Sequence, residues 1–481
     1  MKSADRFPIG WTLTSGAEGL LTVPLSTVLR STLITGTTGW GKSGAVLSLM
    51  LTALTKFRPV GVVLVDCKGE TANTLIEEML PALGERYPHL DPSQVVVVKP
   101  FGRRYGIPLN PLVPIPGLDA AVQAHIVASL IADLVDGNSV GPRMKSLLSS
   151  LCHAGILARA TAFDLLTVLR EPGQAHALAS RVQDQDVRHY LTAAFPKEPA
   201  ASRDALRARL EWLLLIAELR TMLTAPSAIS GRDLLEAPLT IIDLGGDIPL
   251  GFLPLAEVIG SWLMTLLTTA VFSRQTPAHP VMLIIDEWQV VIGKSAAELE
   301  RTLSQARFRG VNLVLANQTL GQITNPSLLR SLLTNISLHY AFRPSEKDVE
   351  HLLPLLPLCG RYIDPERPDQ LLSKDAERRR LVERLTKLPP RHALFANLVE
   401  GRADIVRTLT VPYAEAQQRA SQLPATRREA YRRGKFGVPF DELQHEGVQS
   451  RLLSASGAVP PPLNTQQSKP TRAPRARLVL P

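Results

Sequence analysis

A glycine-rich run near the start of the chain has the residue types and the spacing of a phosphate-binding loop. The run reads STLITGTTGWGKS over residues 31–43. Glycines let backbone N–H groups turn inward around an anion, and the amino end of a following helix adds its positive dipole. At this spacing the lysine contacts the β- and γ-phosphates and the serine hydroxyl binds Mg²⁺. The run therefore predicts a nucleotide site made of Gly36, Thr37, Thr38, Gly39, Trp40, Gly41, Lys42 and Ser43.

Trp40 occupies a loop position that is usually filled by a small residue. Its indole must therefore point away from the phosphates. Three roles stay open for it: covering the nucleotide base, touching a neighbouring subunit, or packing against its own chain. Packing is the interpretation that we favour.

A second feature is an apolar strand that ends in two carboxylates. Residues 281–287 read VMLIIDE. Asp286 is placed to hold Mg²⁺ through a water molecule, and Glu287 is placed to orient and deprotonate an attacking water. Such a strand end is a weak signal alone. Together with the phosphate-binding loop it predicts nucleotide hydrolysis, with Ser43 and Asp286 as the metal ligands.

The nucleotide is predicted to be ATP rather than GTP. Asp243-Leu-Gly-Gly246 imitates the D-x-x-G of GTPases, but the N-K-x-D run that reads guanine does not occur in the sequence. Gln318 follows the apolar run 311–316 and is predicted to sense the γ-phosphate or the attacking water. Arg307 precedes that run and is placed to reach a neighbour's ATP as a finger, an effect worth ~10³–10⁵ in rate in known cases. A solvated helix end is the alternative for Arg307.

The elements that must position these residues alternate along the chain in the way that an α/β fold requires. Short runs that are apolar throughout predict strands buried on both faces of a largely parallel sheet. Leu and Ala at helical spacing predict an all-α insertion domain over residues 119–236. The predicted strands are 32–35, 61–66, 95–98, 239–244, 281–286, 311–316 and 336–342.

Five units follow from this pattern. Residues 31–118 and 237–411 form the ATPase core around the insertion, and residues 1–30 precede it as a small β element. Residues 412–446 are predicted to be a basic helical extension. Residues 447–481 are rich in proline and arginine and are predicted to be a disordered tail.

Charge is unevenly spread along the 481 residues. The chain carries 53 basic and 44 acidic side chains, a formal net charge of +9. Residues 401–481 hold 13 Lys and Arg against 6 Asp and Glu, so the first 400 residues are nearly neutral. The core therefore shows no nucleic-acid surface by charge alone, and the tail is predicted to add non-specific affinity for DNA or an acidic partner.

Cysteines and apolar stretches indicate the compartment. Cys67, Cys152 and Cys359 are scattered, which indicates a reducing compartment and argues against a structural zinc site. The longest uncharged apolar stretch, residues 258–273, is shorter than the ~20 residues that cross a bilayer, so a packed helix is predicted. With no signal-peptide pattern at the start, we expect a cytoplasmic protein.

These motifs jointly resemble the HerA/FtsK superfamily of DNA-pumping ATPases, and most closely its TraG/TraD-like coupling-protein branch from conjugative type IV secretion. The resemblance covers about residues 30–410. Its second-strand motif is usually D-P-K-G-E, and here Cys67 replaces the proline. The motifs that carry it are TGTTGWGKS at 35–43, VVLVDCKGE at 62–70, IPLNPL at 107–112, IIDLGG at 241–246, LIIDEWQ at 283–289 and RFRGVNLVLANQ at 307–318.

The resemblance implies a RecA-like core in a homo-hexameric ring, with ATP and Mg²⁺ at subunit interfaces and DNA threaded through the centre. Arg307, eleven residues before Gln318, matches the position of the family's trans-acting finger. Membrane-bound coupling proteins begin with transmembrane helices, and this sequence predicts none. Two placements stay open: docking onto a membrane-bound secretion component at the inner membrane, or soluble plasmid, phage or HerA-like DNA processing.

A function of another class is the alternative. In it, nucleotide only sets the conformation of an adaptor or receptor that recruits a relaxase or a secreted protein. The strandedness of the DNA, the direction of movement and the protein partners lie beyond the sequence.

Overall fold

The structure is a computed structural model of the chain. It describes residues 6–12, 19–57, 59–132, 141–246, 253–275, 279–290, 305–323, 325–353, 363–364, 367–371 and 373–445. The tail predicted at 447–481 lies outside the described residues.

An 11-stranded sheet forms the centre of the described chain. In chain order the strands are β1 Arg6–Thr12, β2 Gly19–Pro24, β3 Thr32–Gly36, β4 Gly61–Asp66, β5 Val95–Val98, β6 Tyr105–Gly106, β7 Leu239–Asp243, β8 Val281–Asp286, β9 Val311–Asn317, β10 Leu338–Phe342, β11 Ile363–Asp364, β12 Arg367–Leu371, β13 His392–Asn397, β14 Arg402–Thr408 and β15 Val438–Pro439. The strands of the large sheet lie in the order β2-β1-β14-β13-β10-β3-β9-β8-β4-β7-β5. Two short pairs, β11 with β12 and β6 with β15, lie outside it.

Helices cover both faces of this sheet. In chain order the α-helices are α1 Leu25–Val28, α2 Lys42–Lys56, α3 Glu70–Thr74, α4 Leu80–Leu83, α5 Ala120–Ala132, α6 Pro142–Leu157, α7 Ala162–Arg170, α8 Ala175–Ala179, α9 Gln185–His189, α10 Ala200–Leu213, α11 Ala217–Leu223, α12 Gly231–Glu236, α13 Leu253–Ser273, α14 Pro326–Asn335, α15 Glu346–Leu352, α16 Lys374–Thr386, α17 Tyr413–Gln422 and α18 Ala425–Arg433.

The strands predicted from apolar runs are the parallel part of the sheet. β10, β3, β9, β8, β4, β7 and β5 pair in parallel, and the predicted α/β class with a largely parallel sheet is confirmed. Their residues are buried on both sides: Val62 and Leu64 belong to one apolar cluster, while Val63 and Val65 belong to the other. A strand with a cluster on each face has no polar face, which explains its uninterrupted apolar run.

The four strands β13, β14, β1 and β2 extend the sheet in antiparallel fashion on the side of β10. The amino-terminal hairpin thus continues the main sheet through β14. β13 and β14 were not among the predicted strands.

Between β6 and β7 the described chain is helical. Leu148, Leu151 and Leu210 of this region are buried in the same cluster as Val63 and Leu283 of the sheet. The helices therefore cover one face of the sheet.

α13 is the apolar helix expected around residues 258–273. By length and composition it is able to cross a bilayer, but 61% of Leu255–Ser273 is buried inside the protein. Trp262 and Leu267 pack in the core cluster, in contact with α5 and α12.

The helices α17 and α18 pack back onto the core. Tyr431 is fully buried, and its hydroxyl donates to the Leu90 carbonyl at 2.9 Å. The Lys435 N–H then donates to the carbonyl of Val95 on β5 at 2.7 Å, and β15 pairs with β6. The chain after residue 412 therefore covers the outer edge of β5.

Candidate functional site

The phosphate-binding loop joins β3 to α2 at the carboxyl edge of the sheet. Gly39 and Gly41 have φ angles of 84° and 111°, which residues with a side chain rarely adopt, and Gly41 forms the N-cap of α2. A Cβ on Gly36 would lie 2.5 Å from the Cβ of Phe342 on β10. Backbone conformation and close neighbours thus both require glycine here.

Lys42 is buried, and its ammonium lies against the two carboxylates of the β8 end. Its Nζ is 3.1 Å from Asp286 Oδ1 and 2.9 Å from Glu287 Oε1. Burial disfavours the charged form of Lys42, but Asp286 and Glu287 outweigh it and raise its pKa. Burial raises the pKa of Asp286, and Lys42 opposes that rise. The sequence-predicted lysine and carboxylates are therefore in direct contact.

Glu287 is held from several sides in a conformation that is uncommon for its residue type. Its φ is 54°, in the left-handed region, which marks strain of the kind found at functional sites. Lys68 Nζ donates to Oε1 at 2.6 Å, and Gln289 Nε2 donates to Oε2 at 2.8 Å. Burial raises the pKa of Glu287, but these bonds and Lys42 prevail and lower it to about 2. Glu287 is therefore a charged carboxylate in the fold.

Three aspartates stand side by side where neighbouring strands end. Asp66 is the register partner of both Asp286 and Asp243. Asp66 accepts backbone N–H bonds from Lys68, Gly69 and Ala72, each at 2.9 Å. Burial raises the pKa of Asp66, and those bonds oppose the rise. The aspartate thus organises the turn that carries Lys68.

Lys68 and Gln289 are the site residues that sequence reasoning missed. Both belong to motifs that were recognised, DCKGE and LIIDEWQ, but no chemistry was assigned to either side chain. A lysine two residues after the end of a buried strand was the available signal for Lys68.

Gln318 lies beside the phosphate-binding loop, as its place after β9 predicts. Its carbonyl accepts the N–H of Gly36 at 3.1 Å. Trp40 is half-buried: the Arg343 guanidinium lies over its ring at 4.0 Å, and its carbonyl accepts the Arg391 N–H at 2.9 Å. The contacts of the Trp40 indole therefore include its own chain.

Arg307 lies at the opposite edge of the sheet, before the first residue of β9. The seven residues of β9 span about 23 Å at ~3.3 Å per residue, so Arg307 is remote from the phosphate-binding loop of its own chain. It is exposed, and Phe308 beside it is 85% exposed.

Another arginine at this amino edge is fixed in place. Arg274 is buried; it binds Glu236 at 2.7 Å and donates to the carbonyls of Arg309 and His279, each at 2.9 Å. Arg309 in turn donates to the carbonyl of Arg274. Arg274 therefore fixes the turn that precedes β9.

The residues at the carboxyl edge fit a nucleotide and Mg²⁺. Thr37, Thr38 and Gly39 are exposed beside the buried ammonium of Lys42, as an anion cradle requires. Among the described residues there is no group of three or more His, Cys, Asp or Glu that could hold a metal. Mg²⁺ in nucleotide sites uses one or two carboxylates together with phosphates, so Ser43 and Asp286 would be sufficient protein ligands.

The fold and the site define a RecA-like P-loop ATPase fold. The sequence matches no family model and no curated protein. In structure, the chain is similar to VirB4 of Thermoanaerobacter pseudethanolicus, with a TM-score of 0.56, 14% identity, and 86% of this chain and 99% of that chain covered.

It is also similar to the bacterial conjugative coupling protein TrwBdeltaN70. The TM-score is 0.51 at 16% identity, over 85% of this chain and 90% of that one. The fold that the motif resemblance predicted, a RecA-like ATPase core, is confirmed by these two structures.

Proposed function

We propose that the protein is an ATP-driven DNA translocase that works as a homo-hexamer in conjugative transfer or related handling of mobile-element DNA. The observation that carries the proposal is the convergence of Lys42, Asp286 and Glu287 at the end of a phosphate-binding loop. Nucleotide hydrolysis needs a lysine that binds the phosphates beside a charged carboxylate that orients the attacking water.

Each residue has one task in this proposal. The phosphate-binding loop and Lys42 hold the phosphates, and Ser43 with Asp286 would hold Mg²⁺. Bound there, Mg²⁺ would neutralise charge on the transferred phosphoryl group. Glu287 orients the attacking water and accepts its proton. Gln318, whose carbonyl accepts the Gly36 N–H, is the residue proposed to sense the γ-phosphate.

A ring explains Arg307. Because it is exposed and lies at the edge opposite to its own loop, it serves the ATP of a neighbouring subunit. The motor then consists of residues 31–118 and 237–411. The fold shared with a conjugative coupling protein supports DNA as the substrate. The protein is placed in the cytoplasm, docked on a membrane-bound secretion component or a relaxase.

ATP hydrolysis by the purified full-length chain, with and without single- and double-stranded DNA, tests this proposal. We expect DNA to stimulate hydrolysis, Lys42→Ala to lose nucleotide binding and turnover, and Glu287→Gln to keep binding while turnover falls by about 10²–10⁴. Mass in solution reports the ring.

Two outcomes contradict the proposal. Robust hydrolysis that no DNA changes removes the translocase function. Negligible turnover together with saturable binding of a relaxase or a secreted protein favours the adaptor instead.

A further inference from the structure

Two lysines share one oxygen of Glu287. Lys42 Nζ lies 2.9 Å and Lys68 Nζ 2.6 Å from the same Oε1. The Glu287 side chain is only 5% exposed, whereas the Lys68 side chain is 39% exposed. The buried carboxylate thus has one cation from the phosphate-binding loop and one from the turn after β4.

The two cations differ in what a nucleotide does to them. Lys42 belongs to the loop that surrounds the phosphates, so bound phosphates compete with Glu287 for its ammonium. A buried carboxylate that loses its cation is strongly destabilised, more so when another anion approaches. Lys68 lies outside that loop and can stay on Glu287.

The backbone of Lys68 is fixed by three independent features. Asp66 accepts its N–H at 2.9 Å, and the next residue, Gly69, takes a left-handed turn with a φ of 80°. Gly245 packs so closely that a Cβ on it would lie 1.9 Å from the Lys68 carbonyl carbon. The Asp-x-Lys-Gly spacing is therefore a rigid support for one long side chain that reaches Glu287.

We propose that Lys68 is a positioning residue for hydrolysis: it keeps the Glu287 carboxylate in place when Lys42 turns to the nucleotide phosphates. This rests on the proposed ATPase function. Gln289 Nε2 donates to the second oxygen of Glu287 at 2.8 Å. Because both oxygens are then hydrogen-bonded, the orientation of the carboxylate toward the attacking water is fixed. Lys68 itself is not assigned to the nucleotide.

Lys68→Met in the full-length chain tests the proposal. Because a misplaced reacting group costs about 10²-fold in rate, we expect kcat to fall by about that factor. The Kd for a non-hydrolysable ATP analogue should stay unchanged, whereas Lys42→Met should raise it. Lys68→Arg, which keeps the charge, should restore most of the rate.

Lys99→Met is the matched control. Lys99 also pairs with a buried carboxylate at a strand end, Asp243, at 2.9 Å, but it lies away from Glu287. Lys99→Met should lower the free energy of unfolding, as Lys68→Met does, and leave kcat unchanged.

A double variant separates action through Glu287 from any other role. In a Glu287→Gln background, adding Lys68→Met should cause no further loss of rate, since the carboxylate it positions is gone. Three results would overturn the proposal. They are a full further loss of rate in the double variant, a raised Kd for the analogue in Lys68→Met, and a kcat that rises or stays the same in Lys68→Met. A wild-type chain without ATPase activity removes the proposed function instead, so the two failures are distinguishable.

Discussion

The two edges of the parallel strands hold their charged side chains in different ways. At the carboxyl edge, Lys42, Lys68, Asp286 and Glu287 are held largely by one another. Such contacts join side chain to side chain, so an incoming anion is able to exchange for one of them. The charged groups at the carboxyl edge can therefore exchange one ionic partner for another.

The amino edge contains one fixed and one exposed arginine. Arg274 binds backbone carbonyls and Glu236 and is buried, whereas Arg307 is exposed on the same edge. Two backbone carbonyls hold the Arg274 guanidinium in addition to Glu236, so Arg274 serves the fold. Arg307 keeps its charge at the surface, which is what a residue acting on a second subunit requires.

The largest expected effect tests whether the amino edge serves another subunit. Arg307→Ala should lower ATP turnover by about 10³–10⁵-fold, as the loss of an arginine finger does, while nucleotide affinity stays the same. Steady-state hydrolysis and equilibrium binding of a nucleotide analogue measure the two quantities. Arg309→Ala, beside it in sequence, is the control and should affect stability more than turnover.

Mixing variants distinguishes action across subunits from action within one. Under the proposed function, Arg307→Ala and Glu287→Gln should each be nearly inactive. A mixed ring would contain interfaces with an intact Glu287 from one chain and an intact Arg307 from the other. Activity should reappear on mixing. Mixtures as inactive as the separate variants would show that the two edges do not cooperate across an interface.

A smaller effect compares one anchor from each edge. Three backbone N–H groups donate to the two Asp66 oxygens, and Asp66→Asn leaves only one oxygen to accept them. The free energy of unfolding should fall by about 1–3 kcal/mol, and the turn that carries Lys68 should become less ordered. Arg274→Met removes the guanidinium from Glu236 and from two carbonyls, at a cost of about 3–5 kcal/mol. Both should lower the urea midpoint, but only Asp66→Asn should lower the turnover of the folded protein. Equal turnover in the two variants would erase the contrast.

The smallest effect concerns His339, in the strand β10 between the two edges. It is 2% exposed, and burial lowers its pKa to about 3. The folded state keeps it neutral while the unfolded chain binds a proton below about pH 6.5, so stability falls as the pH drops from about 6.5 to about 3. Well below pH 6.5, the free energy of unfolding falls by about 1.4 kcal/mol for each pH unit. Urea unfolding between pH 7 and pH 5 measures it, and His339→Gln should remove that part of the slope.

The parallel half of the sheet was predictable because its strands are apolar throughout. β4 and β8 are buried at every position, so their sequences have no polar interruption. β14 has only two buried positions of seven, and its sequence, RADIVRT, contains two arginines and an aspartate. Its pairing with β1 joins chain segments about 395 residues apart, which local patterns do not report.

The site divides in the same way. Lys42 was predicted from the spacing of the phosphate-binding loop, and Asp286 and Glu287 were predicted from the end of an apolar strand, so each prediction needed only one local motif. Lys68 reaches Glu287 across 219 residues of sequence, and only the parallel pairing of β4 with β8 makes the two neighbours. Contacts of this kind follow from strand order, and strand order was not predicted.

The segment after residue 412 has a consequence beyond its charge. β5 is four consecutive valines at the end of the sheet, and Lys435 with its neighbours occupies its free side. An uncovered strand of that composition is a template for pairing with other chains. A chain cut before α17 would therefore be expected to self-associate through β5, whereas one cut after residue 445 would keep that edge closed and remain free in solution.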